Sequence, residues 1–184
     1  MTEFDKKAVP TKFLWVDLEM TGLDPMKDVI IEVAVEVTDV QFKTLASYEA
    51  IIHQPDELLE QANDWAKAQH ASSGLTDRVR TQGKAEQDVI HELVGFIKAQ
   101  FGDEPAILAG NSIHNDRNFI KRWWPEVEAC LHYRMLDVSS WKIVMQSKYG
   151  LQFDKKDTHR AFDDIQASIA ELQYYLEWLQ KTNE

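Results

Sequence analysis

The chain has 184 residues, 44% of them apolar and 28% charged, enough for one domain with a full-sized core. Its 31 acidic residues against 20 Lys and Arg give a net charge of −11. That balance argues against a protein that grips long nucleic acid through its phosphates, and leaves room for a ligand with one or two phosphates at a metal. No stretch has the apolar length of a membrane span, and residues 1–12 are polar, without a signal-peptide core. The one cysteine, Cys130, precludes an internal disulfide and fits a reducing cytoplasm.

Residues 1–11 read as a flexible lead-in to a single domain spanning 1–184. Residues 12–18 form the first strand, apolar from Phe13 to Val16 and then interrupted by Asp17 and Glu19. Strand side chains alternate, so these two acids share a face. Held that close, one carboxyl protonates or a cation sits between them. Thr21-Gly22-Leu23-Asp24-Pro25 is turn chemistry. Residues 29–38 alternate, with Val29, Ile31, Val33, Val35 and Val37 on one face and Glu32 and Glu36 on the other, which predicts a hairpin with the first strand. Residues 42–52 continue the meander.

Residues 55–71 predict one or two short helices, closed by Ser72-Ser73-Gly74-Leu75, and residues 84–101 a longer one. A short buried strand, 106–109, ends in Gly110-Asn111-Ser112. A helix over 113–124 is stopped by Pro125; a brief strand over 134–138 and a helix over 139–149 follow. Residues 151–159 are a charged loop. The last helix, 160–180, carries Phe162, Ile165, Ile169, Leu172, Leu176 and Leu179 as one core-facing stripe. Three meandering strands and then alternating helices and strands predict an α/β fold, a mixed sheet with helices on both faces.

In such folds, sites collect at strand ends and helix starts. Asp17 and Glu19 end a strand, while Asp116 and Asp164 begin helices. His159, just before the last helix, can reach over its mouth toward Asp164 and suits a general base. Carboxylates of this kind suit hard divalent cations, and the chemistry they suit is two-metal hydrolysis of a phosphodiester. There is no Cys-x-x-Cys, no Gly-rich phosphate loop and no Gly-x-Ser-x-Gly elbow, which argues against a structural zinc site, nucleotide kinases and serine hydrolases of those types.

Asp17-x-Glu19, then Asp116, then His159-x-x-x-x-Asp164 resembles the DEDDh branch of the 3′-to-5′ exonuclease superfamily, closest to the oligoribonucleases. Trp15-Val16-Asp17-Leu18-Glu19-Met20-Thr21-Gly22-Leu23-Asp24-Pro25, Gly110-Asn111-Ser112-Ile113 and His132-Tyr133-Arg134-Met135-Leu136-Asp137 carry the likeness, with Thr158-His159-Arg160-Ala161-Phe162-Asp163-Asp164-Ile165. It covers nearly the whole chain after residue 12. The resemblance implies a ribonuclease H-like five-stranded mixed sheet and two Mg²⁺ or Mn²⁺ ions held by Asp17, Glu19, Asp116 and Asp164. Asp17 would bridge the ions and His159 would act as base.

It further implies substrate contacts. Leu18, with Met20, would wedge against the bases, the strand turning irregular at Leu18 to let it. Trp65 would stack on a base, and Ser112 and His70 would cap the 5′ phosphate together with Tyr133 and Arg134 of a second subunit. The implied activity is removal of 3′ nucleotides from very short RNA, especially dinucleotides, by a cytoplasmic homodimer with no long nucleic-acid groove. The alternative within the same fold is an exonuclease of longer RNA or of DNA 3′ ends.

Overall fold

The computed structural model describes residues 9–154 and 161–182; most of the lead-in and His159 lie outside the described residues. Five strands form one mixed sheet in the order β3-β2-β1-β4-β5: β1 Lys12–Met20, β2 Ile30–Asp39, β3 Thr44–Ile51, β4 Ala106–Gly110 and β5 Leu131–Asp137. The first three are an antiparallel meander, and β4 and β5 join parallel. Central β1 is therefore where an antiparallel half meets a parallel half. Its ladder to β4 is registered at Leu14↔Leu108 and Trp15↔Ala109, short of the end of β1. A crevice opens at the carboxyl ends of strands where partners part, and open α/β sheets place their sites there.

Among the described residues eight helices surround the sheet: α1 Asp56–Glu60, α2 Asp64–Ser72, α3 Leu75–Gln82, α4 Glu86–Phe101, α5 His114–Trp123, α6 Pro125–Glu128, α7 Val138–Tyr149 and α8 Ala161–Thr182. One face of β1, with Leu14, Val16 and Leu18, packs on Val89, Leu93 and Ile97 of α4 and Phe119 and Ile120 of α5. The other face, with Trp15, packs on Ile165, Ile169 and Leu172 of α8. A third cluster, Val29, Ile31, Leu59, Leu75 and Val79, seats α1 and α3 beyond the hairpin. The ribonuclease H-like arrangement of a mixed sheet covered on both faces is thus present.

Several boundaries differ from the sequence reading. Residues 76–83 carry no expected element, yet they belong to α3: Gly74, at φ 70°, follows the end of one helix and caps the start of the next. Pro125 stops α5 and also starts α6, because its fixed φ and missing N–H suit a first helical position. β5 starts three residues earlier than expected. Glu36, on the β2 face opposite the valines, is fully buried because α8 covers that face; Thr44 Oγ1 and Gln166 Nε2 donate to it.

Candidate active site

β1 carries Asp17 and Glu19 on the face of Trp15, and α8 lies across that face. The period of two therefore aims both acids at the first turn of α8, where Asp164 sits. Carboxylate oxygens of Asp17, Glu19 and Asp164 lie within 4.8 Å of one another. Three half-buried acids at that spacing repel unless a cation joins them. The donor set is all carboxylate oxygen, which fits a hard divalent ion and not a thiophilic one.

Asp116 stands apart from this trio. It sits in the first turn of α5, 7% exposed, and its Oδ1 accepts from the Leu18 amide at 3.0 Å. That amide lies beyond the last registered β1–β4 pair, so a carboxylate from α5 takes a place β4 has left. Burial raises the Asp116 pKa to about 7; the amides of Leu18 and of Asp116 itself oppose the rise, and the nearby Glu19 and Asp137 charges add to it. The structure thus groups three of the four acids directly and ties the fourth to the backbone between the first two.

Leu18 does not break the strand. It pairs with Val33 in regular register and is buried. The irregularity comes one step later: Glu19 pairs with Glu32 but Met20 pairs with Ile30, leaving Ile31 extra in β2. Such bulges bend a strand and re-aim its side chains. Leu18, Glu19 and Met20 accordingly line a cleft of about 420 Å³ with Leu23, Asn63, Trp65 and His70. Trp65 is 67% exposed on its far wall, on the first turn of α2, whose N-cap Asn63 accepts from Ala66 N at 2.8 Å. His70 is 5% exposed and its Nε2 lies 3.3 Å from Glu19 Oε2. It is brought to the acid cluster and to this cleft, whose lining does not include Ser112.

Ser112 occupies the turn between β4 and α5, with φ 49°, a left-handed value unusual for a residue with a side chain. Its amide is held by Asp137 Oδ1 at 3.1 Å and Ser139 Oγ at 2.9 Å. Gly110 precedes it because a Cβ there would meet Val16 O and Ile113 Cδ1 at 2.9 Å. Tyr133 and Arg134 lie exposed on the edge strand β5, the Arg134 guanidinium 5.2 Å from the Tyr133 ring centre. Arg117, the neighbour of Asp116, donates to the carbonyls of His132 and Tyr133 at 2.8 and 3.1 Å and so ties this edge to α5.

The sequence reading gave no role to Asn111, Ser139, Glu171 or Leu23. Asn111 and Leu23 fell within the quoted motifs but were not singled out. The available signal for Glu171 was an acid beside the apolar stripe of α8.

The chain was compared with known proteins. Residues 14–172 match the model of the RNase T exonuclease family. An oligoribonuclease of Shewanella loihica is 44% identical over 174 residues, covering 92% of this chain and 96% of that protein. An oligoribonuclease of Pseudomonas syringae pv. tomato is 45% identical over 166 residues, covering 89% and 93%. The mitochondrial oligoribonuclease of Homo sapiens is 41% identical over 174 residues, covering 92% and 73%. Among solved structures, E. coli exonuclease I in complex with a dT13 oligonucleotide superposes with a TM-score of 0.67 at 15% identity, over 90% of this chain and 41% of that longer one. At that identity the likeness concerns the fold.

Proposed function

We infer, for a chain that belongs to the oligoribonucleases of the RNase T exonuclease family, that it finishes RNA breakdown by hydrolysing dinucleotides to mononucleotides. It is a 3′-to-5′ exoribonuclease acting on short oligoribonucleotides. The observation that supports the finer reading is the convergence of Asp17, Glu19 and Asp164 beside an apolar cleft lined by Leu18, Met20 and the exposed Trp65. Asp17, Glu19, Asp116 and Asp164 would hold two Mg²⁺ or Mn²⁺ ions, with Asp17 shared. When bound, such ions neutralise charge on the attacking and leaving oxygens of an in-line displacement.

The chain's own groups do the rest. His159 takes a proton from the attacking water, whose oxygen bonds to the terminal phosphorus as the P–O3′ bond breaks. A 5′-mononucleotide leaves. Leu18 and Met20 meet one face of a base, and Trp65 offers an aromatic platform that accepts any base. Ser112 and His70, with Tyr133 and Arg134 from a second subunit, cap the 5′ phosphate and so limit substrate length. His70 would then serve at the junction of cap and metal site.

A homodimer is supported by the uncovered edge of β5 and the exposed Tyr133, Met135, Ile143 and Val144 that flank it. No helix among the described residues is long and apolar enough to cross a membrane. The sole cysteine favours the cytoplasm. Asp116→Ala tests the site: turnover of 5′-labelled RNA with Mg²⁺ should be abolished while cooperative unfolding persists. Undiminished turnover contradicts the assignment.

A further inference from the structure

Behind Ser112 lies a buried polar network that the proposed chemistry does not use. At its base is Glu171 of α8, 1% exposed. Its carboxylate accepts from Asn111 Nδ2 at 3.2 Å and from the Tyr175 hydroxyl at 2.8 Å. Both donors are neutral, and no ion pair to Glu171 is seen among the described residues. A carboxylate buried against neutral partners is costly, and a Gln of the same shape would avoid the charge. What the carboxylate alone offers is direction: ionised, it only accepts.

That direction propagates. The Asn111 amide must turn its NH₂ toward Glu171. The second hydrogen of that NH₂ goes to Ser168 Oγ at 2.9 Å, and Ser168 in turn donates to the Asp164 carbonyl at 2.8 Å. Asn111 Oδ1 is then left facing Ser139, which donates to it at 3.2 Å. With its proton spent there, Ser139 Oγ is an acceptor for the Ser112 amide at 2.9 Å and faces the Ser112 hydroxyl at 3.0 Å. The left-handed turn at Ser112 is therefore held by two acceptors, Asp137 Oδ1 and Ser139 Oγ, and the polarity of the second is set two side chains away.

We propose that Glu171 is a positioning residue: by fixing the orientation of the Asn111 amide it holds Ser139 as the acceptor that presents Ser112 to the 5′ phosphate of the substrate. This rests on the reading of Ser112 as a phosphate-contacting group. Asn111 is the hub, and its other branch reaches the backbone of the metal-site helix, so both ends of a dinucleotide are framed from one buried acid. Replacing the carboxylate by an amide puts a donor against one of the two groups that now donate, Asn111 or Tyr175, and removes the acceptor-only character that fixes the Asn111 amide. Asn111 can then flip, and Ser139 loses its defined role.

The test compares kcat and KM for an RNA dinucleotide with and without a 5′ phosphate, in wild type, Ser112→Ala, Glu171→Gln, Ser139→Ala and the Glu171→Gln/Ser112→Ala double variant, alongside thermal unfolding. The wild type should prefer the phosphorylated substrate. Ser112→Ala should lower that preference about tenfold, the scale of one hydrogen bond to a charged group. Glu171→Gln and Ser139→Ala should lower it by a similar factor, mainly through KM, and the double variant should lose no more than Ser112→Ala alone. If Glu171→Gln slows both substrates alike and keeps the preference, Glu171 is structural and the proposal is overturned. Should Glu171→Gln not fold, an intact preference in Ser139→Ala overturns it instead. If Ser112→Ala itself keeps the preference, the reading of Ser112 fails, a different result from either of these.

Discussion

Asp116 shows most clearly how one residue couples the fold to the chemistry. Its folded pKa of about 7, against the ordinary carboxyl value of 3.8, means the metal-free native state binds a proton that the unfolded chain releases in that interval. The stability this proton supplies is full below the unfolded value and is lost as pH rises through about 7. In EDTA, denaturant unfolding of the wild type should therefore weaken as pH rises through this interval, and Asp116→Asn should flatten the trend. Added Mg²⁺ should restore stability at neutral pH by binding only the native cluster. A second residue-scale prediction concerns affinity. Arg134→Ala should weaken binding of a 5′-phosphorylated dinucleotide by roughly 1.5–3 kcal/mol, the scale of a charge-assisted hydrogen bond. Titration calorimetry on a metal-loaded, turnover-blocked variant measures it; unchanged affinity would remove Arg134 from the cap.

At the scale of elements, the acids of β1 were legible because a strand's period of two is local. Asp17 and Glu19 had to share a face once the apolar run placed them at a strand end. What covers that face was not legible, since it depends on where α8 packs 140 residues later in the chain, roughly a full domain away. Glu36 shows the same limit: alternation sets it opposite the valines, but its burial depends on α8, which covers it and brings Gln166 to meet it. The bulge after Glu19 was equally hidden, because the extra residue lies in β2 and nothing in the local pattern marks it. Glu36→Ala leaves Thr44 and Gln166 without their acceptor and loosens the seat of α8 near Asp164. It should cost about 1–3 kcal/mol in chemical denaturation and lower kcat. An unchanged midpoint would mean that α8 does not depend on this anchor.

For the whole molecule, one chain supplies the acid cluster and the cleft, while Tyr133 and Arg134 lie exposed on the open edge of the sheet. If the cap is shared between subunits, an inactive variant and a weakened one should complement each other. Mixing Asp116→Ala with Arg134→Ala under subunit exchange should give dimers in which one site holds an intact metal cluster and an intact partner cap. Activity should exceed the sum of the separate variants, and purely additive activity would place the cap within one chain. The central claim is a site bounded at both ends, by the acids at the scissile bond and by the cap at the 5′ phosphate. The most direct measurement is kcat/KM for a 5′-phosphorylated RNA dinucleotide against a seven-mer of RNA or DNA, in Mg²⁺. The dinucleotide should be the best substrate; a rate that rises with length, or that favours DNA, would rule out a site closed at the 5′ phosphate.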